Sequence, residues 1–293
     1  MKLSKTDDLI YKDCAKNAWM KVHKPDIYYA KPLSTFDQGI IKTGNEVDEK
    51  ARELFPDGVL ITDRSDSVGT MELVKKETPV IYQPVFETDM YKAVCDILVW
   101  NPSTKCYDLY EVKASNNGEN KTDKDDLYSY DIAFQYLVLK EVGVPLGRLY
   151  LVRFNNEYVR GVDIDINALF IKEDFTEMAI ETAKIVEGEM KIAHDFLSQE
   201  NEPFGNCACI TRGRSSHCTT FSYNNKDSNV PDYSVHDISR IGMSKTKLAE
   251  LVDSGIFNIE DVPDDFPLSE KQQNQVTATK LNKENNNGLV MVR

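Results

Sequence analysis

The sequence predicts an α/β protein in which a mixed central sheet is flanked by helices. Three observations carry this. Three runs rich in β-branched and aromatic residues follow one another at 78–87, 92–100 and 106–115, which is the pattern of successive strands. Helical apolar spacing then appears at 127–143, and a further apolar run, "RLYLVRF", at 148–154. The chain's clearest amphipathic helix closes the series at 174–199, so helices alternate with strands in a single α/β unit.

Taken in order, residues 3–23 read as a helix with Leu9, Trp19 and Met20 as buried positions and Cys14 between them. A Pro-containing turn at 25–32 leads to "TGNEVDEKARELFPDG", a short helix stopped by Pro56 and Gly58. "TPVIYQPVFE", "KAVCDILVW" and "CYDLYEVKAS" are the three strands, and Asn101-Pro102-Ser103 supplies the turn between the last two. "NNGENKTDKDD" (116–126) is a polar loop. The helix after it ends at Gly143 with Pro145 beyond. The segment 148–154, apolar apart from Arg148 and Arg153, reads as a strand buried on both faces and parallel to a neighbour. In the 174–199 helix, Asp174 is the expected cap and Glu177 completes a capping box. Phe175, Ala179, Val186, Met190 and Leu197 form its apolar stripe.

With 293 residues and 41% hydrophobic content, the chain suffices for one large domain and an appendage. No stretch approaches the roughly 20 apolar residues of a spanning helix, and "MKLSKTDDLIYKDC" has no apolar run after its lysines. The expectation is therefore a cytoplasmic protein without a membrane partner, whose six cysteines are reduced and serve as packing groups or metal ligands. A net charge of −13 argues against a protein that coats nucleic acid non-specifically. It leaves room for local basic clusters: Lys2, Lys5, Lys12, Lys16, Lys21 and Lys24 near the start, and Arg212, Arg214 and His217 later.

Asp96 lies in the apolar run "VCDILVW", where an unpaired carboxylate is expensive. Fifteen residues later come Glu111, Val112 and Lys113 on the adjoining strand, with Glu111 and Lys113 on one face. The pair also reads as a salt bridge on a water-facing edge strand. Two carboxylates at neighbouring strand positions suit a hard divalent cation, with the Val112 carbonyl as a third oxygen. Lys113 would then stand by the attacking water, orienting it or neutralising charge on a phosphate, which is the demand of phosphodiester hydrolysis.

Asp96, "EVK" at 111–113 and "DIAFQYLVLK" in the following helix together resemble the PD-(D/E)xK nuclease superfamily, in particular its RecB-type and iron–sulfur CRISPR-associated branch. The resemblance covers roughly residues 1–220 and implies a restriction-endonuclease-like core. It implies Asp96 and Glu111 as ligands of Mg²⁺ or Mn²⁺, Lys113 as catalytic, and Gln135 lining the site. This chain departs from the family pattern at three points. Asp48 stands where a His would follow Gly44, Gln83 where many relatives have a strand Glu (with Glu87 nearby), and Leu139 where a Tyr often follows Gln135.

Cys207, Cys209 and Cys218 lie in "GNCACITRGRSSHCTTF", far from Cys14 in "CAKNAW". Four thiolates suit an iron–sulfur cluster or zinc. One N-terminal and three C-terminal cysteines resemble the arrangement by which the iron–sulfur branch holds a [4Fe–4S] cluster, although the spacing here is C-x-C-x₈-C. His217 is a conceivable substitute ligand, and Cys95 and Cys106 read as core cysteines.

The expected organisation is a nuclease domain over 1–222 including the cysteines, a helix-hairpin-helix-like appendage over 230–267, and a polar tail over 268–293. In the appendage, two short helices would flank Ile241-Gly242, with a second break at Ser254-Gly255. Such a hairpin grips a nucleic-acid backbone through main-chain N–H groups. Similar bacterial proteins continue into an RNase H-like exonuclease domain, so the tail reads as a linker. The implied function is a DNase acting on ends or single strands, with a partner nuclease or helicase, or a missing exonuclease domain, beside it. The rival is a non-catalytic nucleic-acid-binding or scaffolding module with a structural iron–sulfur or zinc centre.

Overall fold

The structure, a computed structural model, describes residues 1–116, 121–244 and 246–288. Its elements, in chain order, are β1 (Leu3–Ser4), α1 (Lys5–Asp13), α2 (Ala15–His23), α3 (Pro25–Tyr28), α4 (Thr35–Ala51), β2 (Val59–Leu60), α5 (Ser67–Lys75), β3 (Val80–Tyr82), β4 (Val85–Glu87), β5 (Tyr91–Val94), β6 (Ile97–Asn101), β7 (Cys106–Asn116), α6 (Lys121–Glu141), β8 (Leu146–Phe154), α7 (Ile166–Leu169), β9 (Phe170–Asp174), α8 (Thr176–Leu197), α9 (Phe221–Asn224), α10 (Lys247–Asp253) and α11 (Glu270–Gly288). The chain forms two compact units. The first comprises Met1–Leu9 and Pro32–Ser198, the second Ile10–Lys31 and the chain from Gln199 onward.

The first unit is the predicted mixed α/β body. A six-stranded sheet runs in the order β2-β3-β6-β7-β8-β9. The β3–β6–β7 ladder is antiparallel, β8 lies parallel to β7, and β9 returns antiparallel. The predicted meander and the parallel fourth strand are both present. β2 and β9 were not read from the sequence; each is short, and β2 is exposed on both faces. Val47 and Ala51 of α4 pack with Tyr82, Ile97, Tyr110, Val152 and Phe170 over this sheet. Leu149, Leu151 and Val152 of β8 are buried, as a strand covered on both faces requires.

Two predicted strands are each broken in two. The run 78–87 parts at Gln83-Pro84, and the run 92–100 at Cys95-Asp96. Gln83 takes a left-handed conformation at φ 51°, and Pro84 has no N–H to continue a ladder. Beyond the breaks, β4 and β5 pair with each other and with β1 in a separate three-stranded sheet, order β1-β5-β4. The breaks coincide: Gln83 N donates to Asp96 O at 2.9 Å and Cys95 N to Pro84 O at 3.0 Å. Asp96 therefore occupies a junction between two sheets rather than the middle of a strand.

The helices correct several boundaries. The single helix expected over 3–23 is interrupted at Cys14, which is extended at φ −155° and ψ 98°. The helix around 43–58 begins earlier, at Thr35, where the Ser34 side chain accepts from Asp37 N. α5 was not read from the sequence. α6 begins inside the predicted polar loop, of which residues 117–120 lie outside the described residues. α8 carries the predicted stripe, with Phe175, Ala179, Val186, Met190 and Leu197 all buried. Its cap differs: Phe175 holds the N-cap position without a side-chain bond, and Asp174 accepts from Thr176 N at 3.0 Å instead of completing a box with Glu177.

In the second unit, Val235, Ile238, Ile241, Leu248, Leu251, Ile259, Val262 and Val276 form one core. Of the two helices expected to flank Ile241-Gly242, the second is present as α10 and the first is only a 3₁₀ turn at Val235–Asp237; further 3₁₀ turns lie at Ile241–Met243 and Ile259–Asp261. Gly255 at φ 74° ends α10, as the predicted break at 254–255 requires. The polar stretch beyond 268 is helical as α11, because Val276 enters this core and Gln275 donates to Asp237 O at 2.9 Å. Among the described residues, no helix is long and apolar enough to cross a membrane.

Candidate active site and metal centre

The register of β6 against β7 pairs Ile97 with Tyr110, so the next position brings Asp96 opposite Glu111 and Val112. There the Asp96 carboxylate takes over the ladder, and its Oδ2 accepts from Val112 N at 2.7 Å. Among the described residues, Val112 N is the one hydrogen-bond donor to this side chain. Asp96 is half-buried and, with Val112, lines an open hollow of about 730 Å³. Burial, then the neighbouring Glu111 and more distantly Asp48, push its carboxyl up to about 8; Lys5 opposes.

Glu111 is 2% exposed and fully engaged. Lys5 donates to Oε1 at 2.6 Å, Lys113 approaches the same oxygen at 2.9 Å, and Gln135 Nε2 donates to Oε2 at 2.7 Å. Burial alone would raise its carboxyl, but Lys113 and Lys5 outweigh it and hold the group well below the usual carboxylate range. Lys113 also pairs with Asp131. Burial disfavours the Lys113 ammonium, yet Glu111 and Asp131 raise it above an ordinary lysine.

Gln135 comes from α6 and is completely buried. Its amide nitrogen faces two acceptors, Glu111 Oε2 and Asp131 O at 3.1 Å, which fixes its orientation. Its Oε1 is buried without a partner. An orphaned buried acceptor on a side chain that also bonds Glu111 is the donor chemistry that a hard cation or an ordered water satisfies. The set of Asp96, Glu111, the Val112 carbonyl and Gln135 Oε1 thus fits a divalent ion of the Mg²⁺ type.

The four residues singled out in the sequence gather at one place. The departures from the family pattern divide. Gln83 Nε2 donates to Asp48 Oδ2 at 3.1 Å, Asp48 pairs with Arg52, and all three line the hollow. Glu87 is instead held by Lys2 at 2.6 Å and Lys92 at 3.0 Å. Two members of the cluster, Asp131 and Lys5, were not assigned to the site from the sequence, Lys5 being read only as part of a basic run near the start. Asp131 stands four residues before Gln135, on the same helix face, and that spacing was the available signal. Lys5 had none, since nothing in its neighbourhood points to a partner 106 residues away. The hollow also carries Arg52, Arg64 and Lys92 alongside the acidic Asp48 and Glu49, with Arg52 paired to Asp48.

The cysteines form a second centre, in the second unit. The sulfurs of Cys14, Cys207, Cys209 and Cys218 all lie within 4.8 Å of one another, and none is in a disulfide. They are buried together with Phe221. Among the described residues, this is the one group of three or more Cys, His, Asp or Glu ligands that close. The interruption between α1 and α2 is explained here, since Cys14 caps α2 in the conformation that carries its sulfur into the cluster. His217 stacks on Phe221 at 3.5 Å, and its Nε2 bonds the Arg212 carbonyl at 3.0 Å. Cys95 is fully buried core, whereas Cys106 is only partly buried.

No family model matches the sequence, and no curated protein matches it. Two solved structures are similar in part. One is an alkaline exonuclease from Laribacter hongkongensis, 9% identical over 67% of this chain and 91% of that one, with a TM-score of 0.33. The other is a phage-related exonuclease from Haemophilus somnus, 11% identical over 62% of this chain and 92% of that one, with a TM-score of 0.27. Likeness at this level transfers neither a fold nor an activity.

Proposed function

We propose that the chain is a Mg²⁺- or Mn²⁺-dependent nuclease of the PD-(D/E)xK type, in its RecB-like branch, hydrolysing DNA phosphodiester bonds at ends or in single strands. The carrying observation is the convergence of Asp96, Glu111, Lys113 and Gln135 beside a hollow that four basic residues line. A bound divalent ion supplies Lewis-acid stabilisation of the phosphate and a more acidic attacking water. Asp96, Glu111 and the Val112 carbonyl would hold it. Lys113, kept protonated by Glu111 and Asp131, donates hydrogen bonds to the phosphate oxygens or to the water. Asp131 fixes the Lys113 ammonium, and Gln135 fixes Glu111 from the opposite side. Arg52, Arg64 and Lys92 draw the substrate's phosphates into the hollow. The setting is cytoplasmic DNA repair or defence, alongside a partner nuclease or helicase.

A second reading, a nucleic-acid-binding module that does not cleave, has one specific support. Lys5 and Lys113 already neutralise Glu111, so the site is charge-satisfied without an ion. Cleavage of end-labelled single-stranded DNA with Mn²⁺ separates the two. The wild type should cleave, and Lys113→Ala should cut the rate by about 10²–10³-fold, the usual loss on removing one charge-stabilising donor. Inertness of wild type and variant alike, under both metals, would establish the binding module.

A further inference from the structure

We infer that the four cysteines hold a single tetrahedral zinc ion rather than the [4Fe–4S] cluster that the resemblance implies. The distances decide between them. Four sulfurs bound at about 2.3 Å around one tetrahedral ion stand about 3.8 Å apart. Here Cys207 and Cys218 are separated by 3.8 Å, and no pair in the group exceeds 4.8 Å. In a cubane each thiolate binds a different iron at an outer corner, so the sulfurs must spread around the whole cluster. The sulfurs do not show that spread, and all four cysteines are less than 10% exposed in a cluster closed by Phe221.

The surroundings suit a closed thiolate site. The Asn17 N–H at the start of α2 points to Cys14 Sγ. Asn225, itself 2% exposed, donates to Cys207 Sγ at 3.2 Å while its Oδ1 accepts from Cys207 N at 3.1 Å. N–H donors to sulfur orient the ligands and offset their charge. The frame is tied independently: Asn17 Oδ1 accepts from Thr220 N and Oγ1, at 3.2 and 2.7 Å, and Arg212 bonds Asp13 Oδ1 at 2.6 Å. Four sulfurs complete a tetrahedron, so His217 is not needed as a ligand. Zinc has no redox chemistry. The centre is then a staple joining residue 14 to the segment 207–218, indifferent to oxygen.

The test uses the full chain, expressed with iron and zinc both supplied and purified without oxygen. Elemental analysis should give one zinc per chain, negligible iron and no acid-labile sulfide. Exchange into Co²⁺ should give the intense visible bands of a tetrahedral tetrathiolate cobalt site. Cys209→Ser should lose the metal, while Cys106→Ser and His217→Ala keep it. About four irons with matching sulfide per chain, a wild-type chain that takes up neither zinc nor cobalt, or loss of metal from His217→Ala would each overturn the assignment. None of these readouts depends on nuclease activity, so the inference stands or falls apart from the carboxylate site.

Discussion

Replacing Asp96 with Asn should make the metal-free protein more stable while abolishing its response to divalent ions. Among the described residues Asp96 is in no direct ion pair, Lys5 acting on it only at longer range, and it accepts one hydrogen bond, from Val112 N, which the Asn carbonyl oxygen retains. Its carboxyl is pushed from an ordinary 3.8 up to about 8. At 1.36 kcal/mol per pH unit, holding it in the folded protein costs on the order of 4 kcal/mol at pH 7. Water in the hollow screens part of this, leaving about 2 kcal/mol, or a rise of about 4–8 °C in Tm for the Asn variant. A carboxyl raised in the folded state contributes stability below its unfolded value and loses it as pH rises through about 8. The gap between variant and wild type should therefore widen from pH 4 to pH 8 and then level off. Thermal melts in chelator and in Mn²⁺ measure both effects, with the wild type gaining from Mn²⁺ and the variant gaining nothing. A variant that melts lower than wild type in chelator, or keeps the Mn²⁺ gain, refutes the reasoning and makes Asp96 a structural residue.

Lys5→Met should raise Mn²⁺ affinity on the order of ten- to hundredfold, because it removes a cation 2.6 Å from Glu111, and should lower metal-free Tm; calorimetric titration and melting check the two. Gly242→Ala should destabilise the second unit by about 1–3 kcal/mol, since a Cβ there would meet Gly213 N at 2.7 Å; chemical denaturation measures it. Burial, then His236, lowers the His217 imidazole to about 4, and burial also lowers His236. A lowered histidine contributes stability above its unfolded value and loses it as pH falls. Stability at fixed zinc should therefore decline from pH 7.5 to 5.5, with a shallower decline in His217→Gln.

The sequence could announce Asp96, Glu111 and Lys113 because a charged residue in an apolar strand stands out and the two-residue period says which charges share a face. It could announce Gln135 only through the resemblance. Lys5 was out of reach, because its partner lies across the fold rather than along a periodic element. The splitting of two strands between two sheets was hidden for a related reason. Both halves of each run are apolar, and alternation does not record which neighbour a strand pairs with, although Pro84 marked one break in plain view. Cys14 interrupts a good helical pattern because its sulfur has a place in the buried cysteine group, a non-local requirement that outweighs local propensity. α5 and β9 escaped because each is short and carries only a weak periodic signal.

The second unit is split in the chain: 22 of its residues, Ile10–Lys31, precede the whole insertion Pro32–Ser198. During synthesis, Cys14 leaves the ribosome long before Cys207, Cys209 and Cys218, and the intervening body can form its sheets first. The early segment must wait, with Trp19 and Met20 lacking their final neighbours, until the last third of the chain arrives. A fragment beginning after residue 31 would keep three thiols and lose the fourth, and so would strand the later half of the protein without its anchor.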